Sequence, residues 1–388
     1  MAEEPGSRRA LVFVSLGVLL AGSTWFTGTA AVPALRAAWD LGEGAGAWLT
    51  TGVQLGFIAG TFLYAVFNVA DVFSARLVFL ASALAAAAFN LAFAFLADGP
   101  RAAVALRFLN GVCLAGVYPV GMKIVASWFR SGLGWRLGVL VGALVLGTAS
   151  PYLVQALGAG TSWRPLAASA SLLAAAGGLL VALGAGDGPY LRQRARFDVR
   201  AAARVFRAPA FRWTAFGYFG HMWELYALWS LCLYFLRPRF AEHASAVAFL
   251  LVAMGAVGCA AGGWASRSLG ERRVALWSLL LSASACLLSG FAQAWPTPLL
   301  LAFVATWGFF VVADSPQFSA LAARHCPPEY TATALTIQNG IGFAVTVVSI
   351  QALPWVAAAV GWRWAFVTLA PGPLLGAAYM SRLSRHER

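Results

Sequence analysis

The sequence predicts an all-α membrane protein: twelve transmembrane helices in two six-helix halves. Three observations carry that prediction. Of the 388 residues, 61% are hydrophobic and only 11% are charged, too little polar surface to keep so long a chain in water. The apolar residues come in runs of the length needed to cross ~30 Å of hydrocarbon, which takes about 20 residues of helix. Finally, features of the first half recur in the second at a nearly constant interval. None of the runs alternates in the manner of barrel strands, and a helix satisfies its own backbone in lipid, so the bundle is helical.

Taken in order, the spans fall at about 11–34, 47–68, 77–97, 101–128, 135–157 and 164–186, then 213–236, 244–266, 273–293, 297–322, 331–355 and 362–380. The opening "SRRALVF" has the look of a twin-arginine export signal. The long apolar stretch and the many spans behind it make it a first transmembrane helix with a positive flank instead. Counting Arg and Lys in alternate connections puts 20 on the side of both termini and 7 on the other. Both termini are therefore expected in the cytoplasm. The longest connection, "GAGDGPYLRQRARFDVRAAARVFRAPAFR" at 184–212, holds seven Arg and divides the chain near its middle. It reads as an amphipathic segment on anionic lipid, the alternative being a binding site for a soluble partner. The expected organisation is a half at 1–186, a basic cytoplasmic linker at 187–212 and a half at 213–388.

The halves repeat. "VADVFSAR" (69–76) follows span two, and "ASRSLGER" (265–272) follows span eight, 196 residues later. Pro119 in span four has its counterpart in Pro316 of span ten, 197 later, and "SWR" (162–164) has its counterpart in "GWR" (361–363), 199 later. Three anchors at one offset imply a parallel duplication.

Composition also excludes function classes. The net charge of +13 sits in the gaps between apolar runs, which argues against nucleic acid. The five Cys form no CxxC pair, and four of them lie inside apolar runs, as small helix residues do. The chain has no phosphate loop, no His/Glu metal motif and no nucleophile elbow. The expectation is no enzyme, no cofactor, no metal and no ATP hydrolysis.

Twelve spans, cytoplasmic termini, a basic central loop and paired loop motifs together resemble the major facilitator superfamily. That family's loop motif runs Gly, three residues, Asp, two residues, Gly, then two basic residues. "GWASRSLGERR" follows it from Gly263 to Gly270, with Arg272 and Arg273 behind; Arg267 stands at the Asp position and Glu271 at the first basic one. In the first copy Asp71 and Arg76 keep their places, while Phe67, Ser74 and Ala75 depart. The exchanged signs at Arg267 and Glu271 keep an i,i+4 charge pair if the segment is helical. By the resemblance this motif is a cytoplasmic gate that locks while the outer face is open, made here from Asp71, Arg76, Arg267, Gly270, Glu271 and Arg272. "RFLNGVCLAG" (107–116) resembles the family's fourth-span motif. "GVLVGALVLGTASPYL" (138–153) departs from the exporter-type fifth-span motif at Ser150 and Pro151, and its glycines read as helix packing. The sugar-porter signature after span six is absent. The resemblance implies a secondary active transporter working by alternating access, a bacterial cytoplasmic-membrane protein, monomeric, with protons and a small molecule as its partners.

An ionisable residue inside a span costs about 2.5–3.5 kcal/mol and is kept for a wet cavity or a buried partner. Glu224 lies near the middle of span seven, with His221 three residues earlier on the same helical face. Asp314 lies in span ten. These three are the proton-coupling candidates: a carboxyl can load a proton in one facing state and release it in the other, and His titrates near neutrality. The competing readings are a structural pair for Glu224, a structural hydrogen bond for His221, and satisfaction by Asp314 of backbone amides freed by Pro316. The substrate-binding candidates are Arg107 and Lys123, which would favour an anion, with Tyr118, Trp223, Tyr226 and Asn339. Most aromatic residues in the spans, Trp25, Trp229 and Trp307 included, read as packing. Gln338 reads as a tie between helices. The functional expectation is proton-coupled transport of a small polar, anionic metabolite. Export of lipophilic compounds, or a non-transporting membrane sensor or scaffold, are the alternatives.

Overall fold

A computed structural model describes residues 4–42, 44, 46–129, 133–158, 162–190, 201–327 and 330–383. The linker arginines Arg192, Arg194, Arg196 and Arg200 lie outside the described residues, as do Arg130, Arg385 and Arg388. Among the described residues all regular structure is helical. Span one is α1 (Ser7–Gly22) and α2 (Thr27–Trp39), and span two is α3 (Ala47–Val66), with the short α4 (Val69–Val72) behind it. Span three is α5 (Ala75–Leu96), span four α6 (Pro100–Leu114) and α7 (Tyr118–Ala126), span five α8 (Leu133–Leu157) and span six α9 (Trp163–Gly184). After α10 (Ala201–Arg207), span seven is α11 (Pro209–Phe240) and span eight α12 (Ala244–Leu269). Span nine is α13 (Glu271–Ala292), span ten α14 (Thr297–Ala313) and α15 (Ser315–His325), and span eleven α16 (Thr331–Val360). Span twelve is α17 (Trp362–Ala365), a 3-10 turn (Phe366–Leu369) and α18 (Pro371–Leu383).

Ten helical stretches among the described residues are long and apolar enough to cross a membrane. One of them, Pro209–Leu269, contains two spans that meet at the 3-10 turn Ala241–His243, where Ala241 has φ 45°. Span twelve falls short of the length only because its helix is interrupted. With these two taken into account the twelve crossings are present.

Where the helices break, the sequence supplies the reason. Pro119 and Pro316 have no amide hydrogen to give, and each sits in the first turn of the second segment of its span, where none is needed. The bend in span one was expected as an unbroken helix over 11–34. There, Ser23 Oγ donates to Leu20 O at 2.6 Å and Thr24 Oγ1 to Ala21 O at 3.0 Å, so side chains take up carbonyls at the end of α1. Span seven begins at Pro209, four residues inside the expected linker.

The chain divides into two compact units, Met1–Arg194 and Ala195–Arg388. The five most extensive helix packings of the first unit are spans 3 with 6, 2 with 4, 1 with 6, 1 with 5 and 3 with 4. Those of the second are the equivalent pairs: 9 with 12, 8 with 10, 7 with 12, 7 with 11 and 9 with 10. Even atomic details repeat. A Cβ on Gly56 would lie 1.9 Å from Phe108 O, and one on Gly258 2.1 Å from Phe309 O, so spans 2 and 4, like spans 8 and 10, touch backbone to backbone. The recurring Trp-Arg motif also acquires a physical meaning. Arg164 Nε donates to Ala94 O at 3.1 Å and Arg363 Nε to Gly290 O at 2.9 Å. Each arginine thereby holds a carbonyl near the end of span three or span nine, where a cation suits the helix dipole. Large apolar side chains such as Leu172, Leu183 and Trp355 point outward and are more than 70% exposed, as a lipid-facing surface requires.

Candidate functional site

Within the second unit, three ionisable side chains come from two spans and all are buried. Span seven supplies His221 and Glu224, and the break between α14 and α15 supplies Asp314. Glu224 accepts from the Ser282 hydroxyl at 2.6 and 2.7 Å through its two oxygens, and from the Trp307 indole N–H at 2.7 Å. Ser282 belongs to span nine and Trp307 to span ten, so the carboxyl ties three helices together. The Cys286 thiol of span nine also bonds the carboxyl; these donors are all neutral, and no ion pair to Glu224 occurs among the described residues. The group can thus gain or lose a proton without breaking a salt bridge.

His221 and Glu224 do not serve one another as partners. His221 Nδ1 lies 2.9 Å from Asp314 Oδ1, an ion-pair distance whose alignment falls short of a hydrogen bond. The imidazole is flanked by Tyr218 and Phe318, each with its ring centroid 5.8 Å away, and its Nε2 has no hydrogen-bond partner among the described residues. Asp314 is the N-cap residue of α15, yet its side chain caps nothing. The alternative in which Asp314 answers amides freed by Pro316 is therefore not what the structure shows; the carboxyl turns to His221 instead.

In the first unit Arg107 is completely buried; its two terminal nitrogens are engaged, while Nε has no hydrogen-bond partner among the described residues. It donates to Asn90 Oδ1 at 2.7 Å, Thr24 O at 2.6 Å and Trp25 O at 2.5 Å, and it lies over the Phe93 ring. Gly28 permits this approach, since a Cβ there would meet Arg107 Nε at 3.2 Å. In this structure, then, Arg107 holds the bend in span one through its terminal nitrogens. The two knots occupy equivalent places in the repeat. Glu224 stands 199 residues beyond Trp25, and Trp307 stands 200 beyond Arg107. One knot is built on a cation and the other on an acid.

Lys123 is likewise spoken for. Its Nζ donates to Ala70 O and lies 2.5 Å from Asp71 Oδ1, which moves it from the substrate candidates to the loop motif. The second loop departs from the expected i,i+4 pair. Gly270, at φ 82°, ends α12 and begins α13, so Arg267 and Glu271 are not on one helix. Glu271 instead pairs with Arg324 at 3.0 Å, at the end of span ten. Asp71 with Lys123 and Glu271 with Arg324 thus each join the loop behind the second span of a half to the end of its fourth, although Glu271 stands where the first copy has Ala75 and not Asp71. Arg76 and Arg267 are exposed, and Arg272 is half-buried.

Of the remaining candidates, Tyr226 is buried against Phe343 with a centroid separation of 5.2 Å, and Trp223 packs beside Gly372. Tyr118 opens α7 and Asn339 is half-buried in span eleven. Gln338 is fully buried, but neither amide atom has a hydrogen-bond partner among the described residues, so it does not tie helices as expected; Gln54 in span two is in the same condition. Asn90, Ser282 and Arg324 were not singled out from the sequence. A lone Asn in an otherwise apolar span three was the one available signal.

A duplicated bundle of twelve helices with ionisable groups inside its spans is the architecture of a polytopic membrane transporter. The profile described as Major Facilitator Superfamily matches residues 14–243 and 239–388, and the chain belongs to this family. It is a transporter, not an enzyme. Over 114 residues it is 29% identical to the probable galactarate/D-glucarate transporter GudP of Escherichia coli (strain K12). That match covers 28% of this chain and spans about a quarter of the relative's length, 25%. The fold is similar to that of the human organic anion transporter MFSD10 (TETRAN), with a TM-score of 0.75 at 19% identity, over 97% of this chain and 100% of that one. It is similar also to the partially occluded inward-open xylose transporter XylE of E. coli, with a TM-score of 0.76 at 14% identity, over 98% of both chains. A third similar structure is the proton:xylose symporter XylE bound to 6-bromo-6-deoxy-D-glucose, with a TM-score of 0.77 at 13% identity, over 98% and 96%. At these identities the likeness shows the fold.

Proposed function

We propose that this chain is a proton-coupled secondary transporter of a small polar, anionic metabolite, with Glu224 as the proton site and the His221–Asp314 pair as its neighbour in the coupling. It works by alternating access between its two six-helix halves, 1–186 and 213–388. Its place is the cytoplasmic membrane of a bacterium, with both termini and the basic linker at 187–212 on the cytoplasmic side. The observation that carries the reading is the environment of Glu224: a carboxyl buried inside a span, held by neutral donors, with no Lys or Arg paired to it among the described residues. The unpartnered carboxamides of Gln54 and Gln338 support a polar, hydroxyl-bearing substrate, because such groups are costly to bury unless something answers them. With Arg107 and Lys123 both engaged, the anion preference rests on the relatives named as sugar-acid and organic anion transporters. The relative named as a proton:xylose symporter supports the coupling. The pairs Asp71–Lys123 and Glu271–Arg324 suit the role of a cytoplasmic gate.

Uptake of labelled D-glucarate into proteoliposomes, with and without an inward proton gradient, tests the reading. The wild type is expected to be accelerated by the gradient. Glu224→Gln, which keeps an acceptor for Ser282 and Trp307, is expected to transport at a rate indifferent to it. A wild type that ignores the gradient, or a Glu224→Gln protein that still follows it, overturns the assignment.

A further inference from the structure

The first unit carries a cavity that belongs to none of the polar sites. It opens between the starts of spans two and four, at the end of these helices remote from the Asp71–Lys123 pair, and has a volume of about 690 Å³. That size is within the range of small-molecule sites. Trp48, Leu55, Val104, Phe108 and Leu109 supply its apolar lining. Trp48, Leu55 and Leu109 are 51%, 41% and 38% exposed, so the groove opens outward from the helix pair and is not a sealed void. Its cause lies in the packing below it. The glycine contacts that bring spans two and four into backbone contact begin at Gly52 and continue through Gly56 and Gly60, and above Gly52 the two helices have no such seam.

One charged group lies on the mouth of this apolar groove: Arg101, exposed, in the first turn of α6 behind Pro100. No ion pair involving Arg101 occurs among the described residues. The amide groups of this first helical turn add a positive partial charge at the same place. Asp98 is exposed a few residues earlier and Asp40 is exposed beside the lining residue Leu41, so the mouth is not a field of one sign and has no net pull on anionic lipid. The groove and its charge thus stand in the order of a glycerophospholipid: an apolar slot within the spans, then an interfacial Trp and a guanidinium at the helix end.

We infer that this groove is a seat for one membrane glycerophospholipid, an acyl chain lying along Val104, Phe108 and Leu109 and the phosphate on Arg101. An exposed guanidinium paired with a phosphate is worth up to about 1 kcal/mol, or about fivefold in occupancy. The occupant is a lipid and not free phosphate, because the lining is almost wholly apolar.

Native mass spectrometry of the purified, delipidated protein, re-supplied with phosphatidylglycerol, phosphatidylcholine or diacylglycerol of the same chains, tests this. The wild type is expected to retain one phospholipid of either head group about fivefold over diacylglycerol. Arg101→Ala is expected to lose that preference. Ala105→Trp, at an exposed position lining the groove, is expected to lose the retained lipid while the thermal transition stays in place. A photoactivatable phosphatidylcholine should label the peptide holding residues 101–109. Equal retention of phospholipid and diacylglycerol by the wild type, retention unchanged in Ala105→Trp, or labelling elsewhere overturns the proposal. Glycerol phosphate alone is expected not to bind; if it binds as well as the lipid, the acyl-chain seat is wrong.

Discussion

Arg107 delivers three hydrogen bonds from a guanidinium with no exposed surface, two of them to carbonyls at the bend in span one. Replacing it with Met keeps the stem and removes every donor. Carbonyls that cannot turn to water then lose their partner, and Arg107→Met is expected to lower unfolding stability by about 3 kcal/mol, read by thermal or denaturant unfolding of the purified protein. Asn90→Ala should be non-additive with it, because the two side chains share one bond. Charges such as Arg107, Glu224 and Asp314 were legible in the sequence because a charge in an apolar run is rare and must be explained. Their partners were not. Ser282 is one of several small polar residues along span nine, and which of them meets Glu224 depends on the rotation of one helix about its axis, a tertiary quantity that local pattern does not encode. The same holds for His221. Its spacing places it on the face of Glu224, yet it is the approach of Asp314 that decides its partner.

At the scale of helices, close contact between spans is concentrated at glycines. A Cβ at Gly111 would come within 2.2 Å of Val53 O, and at Gly308 within 1.9 Å of Leu251 O. A backbone carbonyl cannot move aside as a flexible side chain can. Gly111→Ala and Gly308→Ala are each expected to cost about 1–3 kcal/mol by forcing the pair apart. Gly99→Ala, where the added methyl would meet nothing within 4 Å, is expected to stay within about 0.5 kcal/mol. Melting curves of the three variants decide it. The spans themselves could be read from apolar length, and spans four and ten were flagged by their prolines. The bend in span one could not be read, because it occupies only a few residues inside one apolar window and hydropathy averages across it. The break at Gly270 falls in the connection expected between spans eight and nine; the pairing of Arg267 with Glu271 was conditional on that connection being helical, and there the helix is interrupted.

Across the whole molecule the duplication preserves positions more faithfully than chemistry. The pair Asp71–Lys123 is largely shielded, with side-chain exposures of 21% and 8%, whereas Glu271–Arg324 stands half in solvent at 31% and 50%. Asp71→Asn is therefore expected to destabilise more than Glu271→Gln, whose effect should stay below about 1 kcal/mol. Raising the salt concentration should erase the smaller effect and leave most of the larger, which unfolding at two ionic strengths will show. The duplication was visible in the sequence from three anchors, because an offset survives substitutions that blur each motif. That one buried knot is cationic and the other acidic is a matter of two residues, Arg107 and Glu224, and no repeat offset announces it.

The bend in span one has a consequence for biogenesis. The carbonyls of Thr24 and Trp25 receive the guanidinium of a residue made more than 80 positions later. While the chain is being threaded into the bilayer, the first helix is therefore complete before its clamp exists. Its kink can be fixed only after the fourth helix has entered, so assembly of this half has an order imposed by a single side chain. Nascent chains halted before and after residue 107 should differ in protease sensitivity near residue 24, with protection arriving only in the longer ones.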